Sequence, residues 1–346
     1  MSSDSNHKKS IFKKIILCLG IALFLICALA GAAIYKTGSV YVKMSDGKNS
    51  LWRNILSLLP LEKNSFANKI LSEDSVLNSE TERVNIAILG IRGEDDPNGG
   101  LLADTIMIAS ILRKENQLAL ISIPRDLYVK VPRSKSAMQK INSVYAFGQK
   151  NDKQGLEFMK EILQTVSGLE IHYAVSVDFE AFEQTVDLLD GITVHVPRDL
   201  TETQQWQGQP FHISAGDQKM NGETALLYAR ARYSTSDFDR ARRQQEILIA
   251  IRNKALSAGI LMNPLKINSL MDIIGDNVKM DFTAWEVKEV IKIARDLDLT
   301  NTKRRVFDSS EAGLLEAKTT DAGEFILVPR GSTYEKIQEE CEGIFN

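Results

Sequence analysis

The chain has 346 residues, of which 44% are apolar and 25% are charged, and its formal net charge is -3. This composition is that of an ordinary globular protein, and the length is enough for one large domain or two small ones. The slightly acidic balance excludes a generally basic protein, so a site for an anionic ligand has to be local.

Residues 15–35 form an uncharged run of 21 residues near the start of the chain. At about 1.5 Å per residue, this run can cross a hydrocarbon core of about 30 Å as one helix. Four lysines precede it, so the positive-inside rule predicts a cytoplasmic tail over residues 1–14 and an extracytoplasmic chain after Lys36. A cleaved signal peptide is the alternative, but the run is longer than a typical signal-peptide core. We therefore expect a single-pass cell-membrane protein with an uncleaved anchor.

Residues 36–82 follow as a linker, and the pattern then changes to short apolar runs. Five segments have the length and pattern of strands, at residues 84–89, 105–110, 118–123, 174–178 and 192–196. Apolar residues with helical spacing lie at residues 155–167 and 181–189. The alternation predicts an α/β (α+β layered) domain over residues 83–257, with a central mixed β-sheet flanked by helices. Residues 258–346 are a small C-terminal α/β extension, either an extra domain or a continuation of the same core.

Five arginines lie within fourteen positions: Arg230, Arg232, Arg240, Arg242 and Arg243. The first two are two positions apart, so an extended segment would send both side chains from the same face. Arg240 and Arg243, three positions apart, share a face of the helix that is predicted to follow. Arg242 points elsewhere on that helix.

The predicted helix that carries the last three of these arginines starts at Ser236, the candidate cap, with Asp239 as its capping-box partner. Four guanidinium groups and the free amides of the helix N-terminus then converge on one point, which suits a multiply charged phosphate. The alternative is a solvated basic helix paired with local carboxylates. If Arg230 and Arg232 lie within a helix instead, their side chains splay apart and the phosphate interpretation weakens.

Three other segments have the features of a site. The loop at residues 90–100 follows the first strand and is rich in Gly, Asp and Asn, which is typical of a strand-end loop at a ligand site. Asp104 begins the next strand, and Arg125 follows a buried strand at a proline. The loop lacks the Gly-Lys-Ser/Thr ending of a P-loop, and the chain contains no Gly-x-Ser-x-Gly elbow. The sequence therefore argues against a nucleotide-binding loop of that type and against a serine hydrolase.

The order of these segments carries a resemblance to a known family. Its motifs are Leu-Leu-Ala-Asp-Thr-Ile at residues 101–106, Ile-Pro-Arg-Asp at 123–126, and the segments 178–179, 191–197, 220–232 and 237–245. Over about residues 84–257 the chain resembles the LytR-CpsA-Psr family of bacterial envelope proteins. The resemblance implies a phosphotransferase that moves a glycopolymer from a polyprenyl-pyrophosphate carrier to peptidoglycan or another envelope acceptor, using Mg²⁺ and a cluster of arginines.

The resemblance also implies roles for particular residues. Asp104 takes the position of a metal-orienting carboxylate or catalytic base, and Arg125 that of a catalytic arginine. The positions implied to bind pyrophosphate are Arg92, Arg125, Arg230, Arg232, Arg240, Arg243 and Gln244. The helix predicted at residues 155–167 and the sheet face would enclose the prenyl chain in an apolar tunnel.

Two positions depart from the family pattern. Leu102 stands where an arginine is usual, and Arg92 replaces an acidic residue expected about twelve positions before the conserved aspartate. Either Arg92 supplies a fixed cation for part of the role of Mg²⁺, or the missing carboxylate comes from Glu94, Asp95 or Asp96.

Two other functions fit the same residues. One is a non-catalytic, membrane-tethered module that holds an anionic polymer or lipid, and the other is a hydrolase in which water attacks the pyrophosphate. Nucleic acid is not expected as a partner, because a domain outside the membrane does not reach DNA.

Overall fold

The computed structural model describes residues 82–94, 100–151, 153–203, 210–257, 277–282 and 296–346, together with residues 269, 273, 286 and 293. The membrane helix predicted at residues 15–35, and the linker up to residue 81, lie outside the described residues. Within the described part of the chain, no helix has both the length and the apolar character that a membrane span requires.

A six-stranded mixed sheet forms the centre of the fold. Its strands, in spatial order, are β11 (Val278–Met280), β6 (Tyr173–Val177), β1 (Arg83–Gly90), β2 (Thr105–Leu112), β3 (Gln117–Ser122) and β12 (Asp298–Val306). The neighbours β1 and β6 are parallel, as are β3 and β12, and the remaining pairs are antiparallel. The first four strands predicted from the sequence are confirmed as members of this sheet.

Both outer strands of the sheet, β11 and β12, come from the C-terminal part of the chain. The sequence left open whether residues 258–346 form an extra domain or continue the same core. Because these strands pair with β6 and β3, the described segment continues the core. Strands from both sides of residue 257 therefore belong to one sheet.

Helices cover both faces of the sheet. On one face pack α1 (Val144–Lys150), α2 (Gly155–Ser167) and α6 (Glu335–Glu342), and on the other pack α3 (Phe179–Leu188), α4 (Gly222–Arg230) and α5 (Asp237–Ser257). Strand β1 directs Ile86 and Ile88 to the second face and Ala87 and Leu89 to the first. Since both faces are covered, residues 86–89 of the strand form a continuous apolar run.

Four two-stranded hairpins or pairs surround this core. They are β4 (Tyr128–Lys130) with β5 (Met138–Lys140), β7 (Ile192–Val196) with β10 (Gly216–Met220), β8 (Leu200–Glu202) with β9 (Phe211–Ile213), and β13 (Leu315–Thr319) with β14 (Phe325–Pro329). The fifth predicted strand, at residues 192–196, is confirmed as β7, although it lies outside the central sheet.

Two polar side chains connect helices to the central sheet by hydrogen bonds. Arg83 donates to the carbonyl groups of Cys341 at 2.7 Å and Glu342 at 3.0 Å, which holds α6 against the start of β1. The amide of Gln245, on α5, donates to Ser122 Oγ at 2.9 Å and to the Arg305 carbonyl at 3.1 Å. Helix α5 is thereby fixed to the ends of β3 and β12.

Candidate active site

The arginine-rich segment begins at the end of a helix. Arg230 is the last residue of α4, and the chain leaves the helix at Ala231, with φ -55° and ψ 129°. Helix α4 is capped by the Asn221 side chain and buries Tyr228, so its regular structure persists through Arg230. The prediction that Arg230 and Arg232 share one face of an extended segment is therefore wrong.

The start of the next helix, α5, is as predicted. Ser236 Oγ accepts the backbone N–H of Asp239 at 3.0 Å and donates to the Asp239 carboxylate at 2.8 Å. The Ser236 cap fixes the first turn of α5, which contains Asp237 and leads directly to Arg240.

Asp237 gathers three arginines around one carboxylate oxygen. Its Oδ1 lies 3.0 Å from Arg240 Nη2, 3.4 Å from Arg125 Nε and 4.0 Å from Arg232 Nη1. These arginines come from three segments: the loop after β3, the loop between α4 and α5, and α5 itself. Sequence reasoning assigned no role to Asp237, and the available signal was an acidic residue in the first turn of an arginine-rich helix.

Asp104, which directly precedes β2, contacts Arg92, Arg125 and Arg240. Its Oδ1 lies 2.5 Å from Arg125 Nη1, and its Oδ2 lies 4.0 Å from Arg92 Nε. Arg240 Nη2 donates to the backbone carbonyl of Asp104 at 2.9 Å. The structure thus brings five of the candidate site residues together: Asp104, Arg92, Arg125, Arg232 and Arg240.

The two central guanidinium groups of this cluster are largely removed from water. The side chain of Arg125 is 16% exposed and that of Arg240 is 7% exposed. Burial lowers the pKa of Arg240, and the Asp237 carboxylate opposes that effect. Burial also disfavours the charge of Arg125, but Asp104 and Asp237 outweigh it and raise the pKa of this guanidinium. The Nε atoms of both arginines are buried without a hydrogen-bond partner among the described residues, and an added anion can supply one.

Arg243 occupies a different place from the one the resemblance implies. Its Nε donates to the Tyr228 carbonyl at 3.1 Å, and its Nη2 donates to the Ala231 carbonyl and, at 3.2 Å, to Thr235 Oγ1. The side chain is buried, and burial lowers its pKa. Arg243 therefore stabilises the loop between α4 and α5 by hydrogen bonds from a buried position. It is not among the three arginines around the Asp237 carboxylate.

Arg242 points away from the cluster, as the sequence predicted. Half of its side chain is exposed, and it pairs with the carboxylates of Asp239 at 2.9 Å and Asp308 at 3.6 Å. It offers a matched control for experiments on the buried arginines of the same helix.

An apolar cavity of about 150 Å³ lies beside the arginine cluster. Side chains of the sheet and of α3, α4 and α5 line it, among them Met107, Phe179, Phe182, Leu226, Leu248 and Ile251. A much smaller cavity is lined by Asp104, Arg125, Asp237 and Arg240. Gln244 lines both cavities. The adjacent residues Asp104 and Thr105 line the smaller cavity and the apolar cavity, respectively. The cavities are therefore adjacent.

Arg230 stands between the apolar cavity and a polar pocket of about 540 Å³. Its guanidinium carbon lies 4.8 Å from the centre of the Phe179 ring, within the range of a cation–π interaction. The polar pocket is also lined by Arg92, Glu94 and Glu183. Arg230 is thus placed at the boundary of apolar and polar space, and it shares the polar pocket with Arg92.

The helix expected to enclose the apolar cavity does not line it. Residues 155–167 form a helix as predicted, α2, but its apolar side chains, including Phe158, Met159 and Ile162, pack on the opposite face of the sheet. The cavity is instead enclosed by the three helices of the other face. An amphipathic pattern shows that one face of a helix is buried, and it does not specify which side of the sheet receives it.

Asp104, the residue expected to orient Mg²⁺, faces cations in this structure. Both of its carboxylate oxygens are directed at guanidinium groups, whereas Mg²⁺ is held by carboxylate and phosphate oxygens. Among the described residues, no three His, Cys, Asp or Glu side chains are grouped to hold a metal ion. Glu94 is exposed, and Asp95 and Asp96 lie outside the described residues. The described side chains do not fit a resident Mg²⁺ ion.

Guanidinium groups beside an apolar cavity offer hydrogen-bond donors for an anion next to a surface that suits hydrocarbon. The family model of the LytR_cpsA_psr family matches residues 59–340, and the chain belongs to that family. The predicted resemblance is confirmed and extends to the C-terminal part of the chain.

Two proteins that are similar to this chain in sequence are named as teichoic acid transferases. The polyisoprenyl-teichoic acid–peptidoglycan teichoic acid transferase TagU of Oceanobacillus iheyensis is 30% identical over 224 residues, which cover 64% of this chain and 66% of that protein. TagU of Bacillus subtilis is 28% identical over 250 residues, which cover 71% of this chain and 76% of that protein. The solved structure of TagT bound to LIIa-WTA has a TM-score of 0.58 and 21% identity, over 79% of this chain and 96% of that one, and shows a shared fold.

Proposed function

We propose that this protein transfers a glycopolymer from a polyprenyl-pyrophosphate carrier to peptidoglycan or another envelope acceptor. The observation that carries the proposal is the convergence of Arg125, Arg232 and Arg240 next to an apolar cavity. A prenyl chain suits the cavity, and a diphosphate suits the guanidinium groups, so one molecule that contains both occupies both. The transferase names of the TagU relatives agree with this reaction class.

Cations outnumber carboxylates in the cluster. Four guanidinium groups, those of Arg92, Arg125, Arg232 and Arg240, face the carboxylates of Asp104 and Asp237. Asp126 lies 3.7 Å from Arg125 Nε and is shared with Lys140. The positive excess favours an anion such as a pyrophosphate diester, which carries two negative charges. Arg230 and Gln244 complete the proposed binding site at the edge of the apolar cavity.

In the proposed reaction, a hydroxyl oxygen of the acceptor attacks the phosphorus that carries the polymer. A P–O bond to the acceptor forms, the P–O bond to the bridging oxygen breaks, and the lipid leaves as its monophosphate. The hydroxyl proton passes to Asp104, while the arginines stabilise the charge that develops on the leaving phosphate. A bound phosphate oxygen replaces Asp104 Oδ1 at Arg125 Nη1, which releases that carboxylate oxygen for the acceptor hydroxyl. No step is assigned to Mg²⁺.

The proposal includes a membrane anchor at residues 15–35, with the N-terminus in the cytoplasm and the domain outside. A prenyl chain partitions into the bilayer, so an anchored domain meets its donor at the membrane surface. Protease added to intact cells should cleave the domain, and a tag on residues 1–14 should stay protected. Protection of the domain would contradict the orientation.

The test uses full-length protein in detergent, a labelled polyprenyl-pyrophosphate glycan and peptidoglycan. Label on peptidoglycan supports the transferase. Release of the lipid monophosphate without labelled peptidoglycan indicates a hydrolase, and retention of the donor without turnover indicates a binding module. Arg230→Ala and Arg240→Ala are expected to lower transfer by a factor of about 10²–10³, whereas Arg242→Ala, on the same helix as Arg240 but outside the cluster, should retain it.

A further inference from the structure

A buried carboxylate holds the loop that carries Arg232. Glu202, the last residue of β8, is only 1% exposed. Its Oε2 accepts the backbone N–H groups of Arg232 at 3.0 Å, Tyr233 at 2.8 Å and Ser234 at 3.1 Å. Successive N–H groups around one oxygen form a nest, a backbone arrangement that binds negative charge. Burial of a carboxylate is costly without such hydrogen bonds, so the position of Glu202 and the shape of the loop are coupled.

A buried cation holds the same loop through its acceptor groups. Arg243 donates to the carbonyl groups of Tyr228 and Ala231 and to the Thr235 hydroxyl. Two buried side chains therefore hold the loop at residues 231–236. The Glu202 carboxylate accepts its N–H groups, and the Arg243 guanidinium donates to its oxygen atoms. Each of these polar groups needs a partner once it is out of water, and the two buried side chains provide them.

The loop sets the relative placement of the arginines in the site. Arg230 directly precedes it, Arg232 lies within it, and Ser236 at its end caps α5, which carries Arg240. Arg232 reaches the Asp237 carboxylate from this loop, at 4.0 Å. A change in the loop therefore moves Arg232 relative to Arg240.

We propose that Glu202 is a positioning residue of the diphosphate site, which holds the loop so that Arg232 and Arg240 bind the same diphosphate. The inference rests on the proposed function. Oε2 of Glu202 is occupied by the loop backbone, so the residue acts through Arg232 and not by contact with the reacting atoms. A misplacement of about 1 Å in a catalytic site costs about a hundredfold in rate.

Three substitutions of Glu202 test the proposal in the full-length protein. Glu202→Ala leaves three backbone N–H groups without their acceptor, Glu202→Asp withdraws the carboxylate by one methylene, and Glu202→Gln keeps one acceptor oxygen in place. We expect Glu202→Ala to lower kcat about a hundredfold and to raise the Kd for inorganic pyrophosphate about tenfold. Glu202→Gln should stay within about threefold of the parent in both, and Glu202→Asp should fall between them and serves if the alanine variant does not fold.

Arg83→Ala is the matched control. It also removes side-chain hydrogen bonds to backbone groups, those that hold α6, but it lies outside the arginine site. We expect it to lower Tm without changing kcat or the pyrophosphate affinity of the folded protein. Amide hydrogen exchange of residues 232–234 gives an independent readout, because it should rise in Glu202→Ala and remain unchanged in Arg83→Ala.

The outcomes separate the inference from the proposed function. If the parent transfers glycan and Glu202→Ala, or Glu202→Asp in its place, matches Arg83→Ala in kcat and pyrophosphate affinity, the positioning role is overturned and the transferase stands. If the parent binds pyrophosphate but transfers nothing, the transferase falls, and the positioning role is judged by the difference in Kd. A parent that neither transfers glycan nor binds pyrophosphate overturns both, and in a parent that transfers without binding free pyrophosphate the positioning role is judged by kcat.

Discussion

Removal of the Arg240 guanidinium should separate a catalytic role from a structural one. Arg240 has the most buried side chain of the cluster, and its Nη2 touches both the Asp104 carbonyl and the Asp237 carboxylate. Loss of one preorganised donor to a developing anion typically costs about 2.7–4 kcal/mol, or a factor of about 10²–10³ in kcat. We expect Arg240→Ala to fall in that range when glycan transfer is measured by label on peptidoglycan.

The same substitution should also destabilise the fold, because Asp237 loses its nearest counter-ion. Breaking a buried ion pair costs about 3–5 kcal/mol. Asp237 keeps Arg125 at 3.4 Å, so the lower end of that range applies. At roughly 2–4 °C per kcal/mol, the loss of about 3 kcal/mol lowers Tm by about 6–12 °C. Thermal unfolding by circular dichroism measures this shift.

The decisive measurement is on Arg240→Ala combined with Asp237→Asn. The second change removes the unpaired carboxylate charge, so we expect Tm to recover by about half while transfer stays about a hundredfold below the parent. Recovery of transfer along with Tm, to within tenfold of the parent, would show that Arg240 is only a counter-ion and would refute its catalytic role. Arg242→Ala, whose side chain is half exposed, should leave both quantities within the error of the parent.

Three further outcomes follow from other parts of the structure. Ala181→Leu adds side-chain volume to the apolar cavity, so we expect KM for a long-chain prenyl donor to rise about tenfold and KM for a short-chain donor to stay the same. A variant with the parent's KM for both donors would contradict a prenyl site there. Chelation by EDTA should lower the transfer rate less than about threefold, because both Asp104 oxygens face arginines, and a larger loss that Mg²⁺ restores would reverse that expectation. Burial raises the pKa of Cys341 to about 12, so we expect its thiol to stay protonated and unreactive to iodoacetamide at pH 8.5 until the protein unfolds. Rapid labelling of this cysteine in the native protein, detected by peptide mapping, would disprove its burial.

The central strands were predictable because each is buried on both faces. Residues 84–89 and 118–123 are apolar except for Asn85 and Ser122, and both strands are confirmed. Strand β12, in contrast, has a largely polar sequence, Asp298–Val306, with most of its side chains at the surface. It joins the sheet through backbone pairing with β3, for which hydrophobicity gives no signal. The C-terminal contribution to the core was therefore visible only in the structure.

The arginine cluster was predictable in composition and not in geometry. The density of arginines indicated a site for an anion, and the capping pattern at Ser236 located the start of α5 correctly. The partners of each guanidinium depend on tertiary contacts, so spacing alone could not distinguish Arg240, which faces the cluster, from Arg243, which braces the loop. Glu202 was missed because a single acidic residue in a short strand has no sequence pattern that marks it as buried.

The hydrogen bond from Arg240 to the Asp104 carbonyl joins positions 136 residues apart. A nascent chain that has not yet synthesised and docked α5 therefore has no complete pocket for a diphosphate. The ligand stabilises only the finished fold, by an amount that grows with its concentration relative to Kd. The carrier lipid would thus stabilise only those chains in which this contact between α5 and the start of β2 has formed.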